Sequence, residues 1–167
     1  AVSHNQRFLI PYILGFINYI SGVDLYLIYR ISVFILFFLI IIFTIKILKF
    51  FKIKNFDILI ALLFVVFNPY LLRYYISLPT LINDLTFILG SLIIIEGILK
   101  KKINIINIGL CISIFSRQTG IFFLLAIIIS KFYFKNKIFI KKKDIFYSIF
   151  ACCLIFILNN FHASIAN

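Results

Sequence analysis

All thirteen lysines of this 167-residue chain fall in three clusters, at 46–54, 100–102 and 131–143. Apolar runs separate the clusters, and the four arginines, Arg7, Arg30, Arg73 and Arg117, lie elsewhere. Lysine-rich short loops stay on the cytoplasmic side of a bilayer, so the three clusters predict one membrane face and the arginines fall toward the other. Nothing about topology asks for positive charge on that outer side. The planar guanidinium is, however, the side chain best suited to hold a phosphate or carboxylate.

Composition narrows the class. Hydrophobic residues make up 64% of the chain and charged ones 13%, about half the charged content of a soluble domain. The net charge of +12 does not indicate nucleic acid, because the cations sit between bilayer-length apolar runs instead of forming one stripe. With no methionine and an Ala1 start, the chain is expected to be an internal piece of a longer protein. Cys111, Cys152 and Cys153 all lie in apolar segments and lack the spacing of a disulfide framework or a metal site.

The expected fold is all-α: a polytopic membrane bundle of about six transmembrane helices, some short, plus one interfacial helix. It forms a single domain over 1–167, with an outer-face loop and interfacial helix in 1–30 and the transmembrane helices in 31–161. The run Ile31 to Leu48 is long enough to cross a hydrocarbon core of about 30 Å and ends in the first lysine cluster. Between the first two clusters the chain must cross twice, which predicts helices over 57–76 and 80–99 with Asn68-Pro69 and Pro79 near the outer turn. Residues 145–158, continuing to Phe161, make a last crossing. The segment 8–21, with Pro11, Gly15 and Asn18, is a poor spanning helix and a plausible interfacial one. Asn55, Asp57 and Asp144 read as helix-start residues, Asp24 as a turn residue, and Glu96 as the i,i+4 partner of Lys100.

Residues 103–130 are the anomaly. They must leave the lysine face and return to it, yet two full spans need about 40 residues. The sequence offers two short apolar arms, 103–115 and 120–129, around the polar apex Ser116-Arg117-Gln118-Thr119. An arm of about 14 residues reaches only some 21 Å, so Arg117 is expected to be recessed below the outer surface, in a protein-lined cavity. An arginine at that depth is a functional-site candidate; the bland alternative is one that snorkels to the interface.

The candidate substrate-binding residues are therefore Arg117, Gln118, Arg73, Asp84, Arg7 and His4. Asp84 lies inside an apolar segment, where it reads either as the ion-pair partner of Arg73 or Arg117 or as a direct substrate contact. His4 without a positioned partner is an ordinary loop residue as readily as a catalyst. No nucleophile elbow, P-loop, dinucleotide fingerprint or zinc signature occurs, so no catalytic residue is assigned.

The pattern Asn68-Pro69-Tyr70, an aromatic-rich outer turn, an apolar helix, a basic loop and a short arm ending in Ser116-Arg117-Gln118-Thr119-Gly120 resembles the polytopic glycosyltransferases of the GT-C superfamily. The Arg117-Gln118-Thr119 element, with Tyr74-Tyr75 and Asp84 upstream, is also similar to the α-1,2-glucosyltransferases that use dolichyl-phosphoglucose. Asn5-Gln6-Arg7-Phe8-Leu9-Ile10-Pro11-Tyr12 looks like the end of that family's first outer loop and the interfacial helix after it. The resemblance implies transfer of a sugar from a polyprenyl-phosphate donor to a lipid or glycan acceptor, on the outer face of a bacterial inner membrane or the endoplasmic reticulum. It implies a catalytic acidic residue upstream of Ala1. No cofactor is evident, and a divalent metal, if used, would be bound by residues outside this stretch. Two rival readings use the same arginines: a transporter or flippase of lipid-linked or anionic solutes, and a polymerase or ligase of the O-antigen type.

Overall fold

A computed structural model describes residues 9–66, 72–78, 81–134, 146, 148–155 and 157, and every regular element among them is helical. Helix α1 spans Leu9–Ser21, α2 Leu25–Phe50, α3 Asn55–Val66, α4 Leu72–Ser77, α5 Ile82–Leu99, α6 Ile103–Ser116 and α7 Ile121–Phe134. A 3₁₀ turn, Gln118–Gly120, joins α6 to α7, and residues 148–155 are helical. Two helices, α2 and α5, are long and apolar enough to cross a membrane.

Helix α2 starts earlier than residue 31, because Asp24 caps it: the carboxylate accepts from the Leu27 amide at 3.1 Å. The turn before it uses Gly22 at φ 65, whose amide closes back on the Asn18 carbonyl, the left-handed position that ends a helix. Arg30 therefore lies on the second turn of α2, its guanidinium 4.6 Å from the Tyr26 ring centroid. Of the helix expected over 57–76, α3 and α4 are described, and residues 67–71 between them, with Asn68-Pro69, lie outside the described residues. Asn55 and Asp57 open α3 as expected.

Both described lysine turns end their helices alike. Lys52 and Lys101 adopt φ 57 and 55. The amides of Ile53 and Lys102 then reach back to the carbonyls of Leu48 and Gly97, at 3.3 and 2.9 Å, closing paired Schellman turns. Glu96 is buried and pairs with Lys100, as the spacing predicted.

Helix α5 is the centre. One side, through Ile82, Leu85, Leu89 and Ile93, packs on Leu14 of α1 and on Ile28, Val33 and Ile40 of α2. Another side meets α6 in a close antiparallel hairpin, and α6 carries a second core with Leu124, Ile127, Cys152 and Ile155. Small residues set this hairpin's separation. A Cβ on Gly90 would meet the Ser113 backbone at 2.9 Å, one on Gly97 the Ile106 amide at 2.8 Å, and one on Gly109 the Ile94 amide at 2.8 Å. Without side chains there, the two backbones approach as helices do through small residues in apolar surroundings.

Candidate functional site

The hairpin register dictates what meets at its open end. Gly90 faces Ser113, Ile94 faces Gly109 and Gly97 faces Ile106, so α5 and α6 run past each other without slippage. Continued two turns toward the start of α5, the same register brings Asp84 opposite the apex that follows Ser116. The observed contact agrees: Arg117 Nε donates to Asp84 Oδ1 at 2.8 Å, and Nη2 contacts the same oxygen.

The local chain explains how Arg117 is presented. The Ser116 hydroxyl donates to the carbonyls of Ile112 and Ser113, at 2.8 and 3.0 Å, and the Arg117 amide also donates to Ser113, at 2.9 Å. Two of these bonds meet at the Ser113 carbonyl in the last turn of α6. Arg117 then turns extended, φ −148 and ψ 135, which aims its side chain off the helix axis. The Gly120 amide closes on the Arg117 carbonyl at 2.9 Å, and Gly120 rides directly on the Ser113–Ile114 backbone. The apex is thus seated on α6.

Around the guanidinium lie aromatic rings. Its carbon is 5.9 Å from the Phe87 centroid, and Phe87 in turn packs on Phe123 at 5.7 Å. Phe87 is one helical turn past Asp84, so the ring and the carboxylate hold one cation from the same face of α5. Asp84 also lies in the first turn of α5, where the helix dipole favours a negative charge. On α4, Tyr74 and Tyr75 pack edge to face at 5.8 Å. The Tyr75 phenol titrates above its ordinary range, first because it is partly buried and then because the Asp84 carboxylate opposes its anion, with Arg117 acting the other way.

The Arg117 side chain is 34% exposed and that of Asp84 19%, so the pair is sheltered without being sealed. Both bonds use the Nε side of the guanidinium. Nη1 makes no hydrogen bond to a described residue, and with the second N–H of Nη2 it forms the fork that fits two oxygens of one anion.

Of the six residues expected to bind substrate, the structure brings Arg117 and Asp84 into contact. Gln118 opens the 3₁₀ turn beside them, and Arg73 lies on α4 two residues before Tyr75. His4 and Arg7 lie outside the described residues. Phe87 joins the site without having been singled out in the sequence, although its i+3 spacing to Asp84 could have found it. Asn83, which the sequence places with Asp84 among the polar residues of the outer half, is 6% exposed with its Oδ1 unpartnered. Comparison with protein-family models, curated proteins and solved structures gives no match.

Proposed function

We propose that this chain is part of a multi-pass membrane glycosyltransferase that moves a sugar from a polyprenyl-phosphate donor to an acceptor on the outer face, with its lysine turns cytoplasmic. The observation that carries the reading is Arg117, tethered by Asp84 at the turn between two 14-residue helices. Helices of that length reach only about 21 Å, which recesses the arginine if both start at the lysine face.

Membrane placement has its own support. Large apolar side chains cover the outside of α2, with Ile31, Phe34, Ile35, Phe38 and Ile42 all exposed. Such a surface fits acyl chains better than water. Helix α1 likewise exposes Tyr12, Phe16, Tyr19 and Ile20 and holds no charged residue, in keeping with an interfacial position. In this topology α2, α3, α5, α6, α7 and the helix around 148–155 lie within the bilayer, and α4 sits in the outer connection.

In the transfer, an acceptor hydroxyl attacks the anomeric carbon as that carbon's bond to the phosphate oxygen breaks, and the electron pair leaves with the phosphate. Charge grows on the phosphate oxygens, and Arg117 offers them its Nη1–Nη2 edge. Asp84 keeps the guanidinium oriented from the Nε side, and Phe87 supports its face. The proton of the acceptor passes to a base that the family resemblance places upstream of Ala1.

The test is transfer from a polyprenyl-phosphate hexose, in membranes, by the longer protein of which this chain is proposed to be part. Arg117→Ala should lower the rate about 10²- to 10³-fold, the cost of removing one preorganised oxyanion donor. Arg117→Lys should recover little of it, because a point charge does not reproduce the fork. Undiminished transfer by Arg117→Ala would remove the proposal.

A further inference from the structure

We infer that Asn83 is the hydroxyl-recognition residue of the Arg117 site, accepting a hydrogen bond from the sugar of a phosphate-bearing ligand; the inference rests on the phosphate reading of Arg117.

The argument begins with position on α5. Seven residues turn a helix through almost two full revolutions, so Asn83 lies within about 20° of Gly90 around the axis. Gly90 faces Ser113 of α6, which places Asn83 on the same stripe, two turns nearer the apex. Asp84 and Phe87, its neighbours on that end of α5, both engage Arg117. Asn83 therefore lies beside the two residues that hold the cation, next to Asp84 and one turn from Phe87 on the same side of α5.

Chemistry supplies the second step. The Asn83 side chain is more than nine-tenths buried, and its carbonyl oxygen has no hydrogen-bond donor. Buried amide oxygens are almost always paired, and an exception in a native fold calls for a reason. A leucine of similar volume would remove the cost, so a purely structural position has no need of the amide. A group that meets its donor only during function does need it. The donor must arrive next to whatever anion Arg117 holds, and a sugar phosphate carries hydroxyls next to its phosphate. The sheltered Arg117–Asp84 pair lies on the same end of α5 and is the exposed neighbour through which such a ligand would reach Asn83.

Discrimination follows. A site that hydrogen-bonds a hydroxyl rejects the analogue lacking it, because the protein's acceptor is then left unpaired. The experiment measures binding of glucose, galactose and mannose 1-phosphates against methyl phosphate, which keeps the phosphomonoester and lacks the sugar, by titration calorimetry in detergent. In the parent chain at least one sugar phosphate should bind about tenfold or more tighter than methyl phosphate. Asn83→Leu should erase that preference while leaving methyl phosphate affinity unchanged, which also shows that the variant is folded; Asn83→Ala serves if Asn83→Leu does not fold.

Arg117-dependent methyl phosphate binding with no sugar preference, or a preference that survives Asn83→Leu and Asn83→Ala, overturns the role of Asn83 alone. Failure of the parent to bind methyl phosphate, or binding that survives Arg117→Ala, overturns the phosphate reading and this inference with it.

Discussion

Replacing Gly120 with alanine should uncouple the apex from the hairpin. A Cβ at this position would lie 2.6 Å from the Ser113 carbonyl carbon, 2.7 Å from the Ile114 amide nitrogen and 2.7 Å from the Ser113 oxygen. Ordinary contact begins near 3.4 Å, so the turn must lift by roughly 0.7 Å or more. These are backbone atoms of α6, a helix with Ile106, Leu110, Ile114, Ser113 and Ser116 all buried, and none can rotate aside. The lift therefore falls on the apex, where the Gly120 amide bonds the Arg117 carbonyl. Overpacking of this kind costs about 1–3 kcal/mol of stability. Displacing a positioning group by about 1 Å can cost 10²-fold in rate, so activity should fall further than folding does. Thermal unfolding in detergent and sugar transfer, measured on the same preparation, separate the two effects. Gly15→Ala is the control, since nothing lies within 4 Å of a Cβ there, and it should gain about 0.5–1 kcal/mol as a helical Gly-to-Ala change. A Gly120→Ala protein as stable and as active as its parent would refute the seating of the apex on α6.

Other outcomes follow from the same geometry. In a double-mutant cycle, Arg117→Ala and Asp84→Ala should couple by about 1 kcal/mol, above most surface pairs and below a sealed one, because both side chains keep some exposure; denaturant unfolding reads it, and zero coupling would mean that the contact is not formed in solution. Lys101→Gly should raise stability by about 1 kcal/mol, since φ 55 strains any side chain, and a loss in the same assay would argue against the Schellman turn. Tyr75 should make alkaline stability steeper. Its folded pKa is raised, so its contribution is complete below the unfolded phenol value of about 10 and is lost as pH rises through the folded value. Tyr75→Phe should flatten that limb of a pH titration of unfolding, and an unchanged limb would show that Tyr75 is not shielded beside Asp84.

How far the site was legible in the sequence follows from what each inference rested on. The short arms 103–115 and 120–129 came from length alone, and α6 and α7 match them closely because a chain that turns between two lysine clusters has few other ways to satisfy its backbone in apolar surroundings. Asp84 was legible as a cation's partner because an isolated carboxylate in an apolar run needs one. That Arg117 reaches it was not, since that contact depends on hairpin register, and register is written in Gly90, Gly97, Gly109 and Ser113, whose meaning appears only when two helices are laid together. The same limit left the role of Asn83 open. A polar residue next to Asp84 reads as part of the same wet turn until the stripe facing α6 is known. Once it is, the two neighbours divide: Asp84 takes the arginine, while Asn83, on the stripe that faces α6, is buried with its carbonyl oxygen unmet. A site with its cation tethered from one edge and an orphan acceptor next to the tether is better suited to a ligand that brings both an anion and a hydroxyl than to either alone.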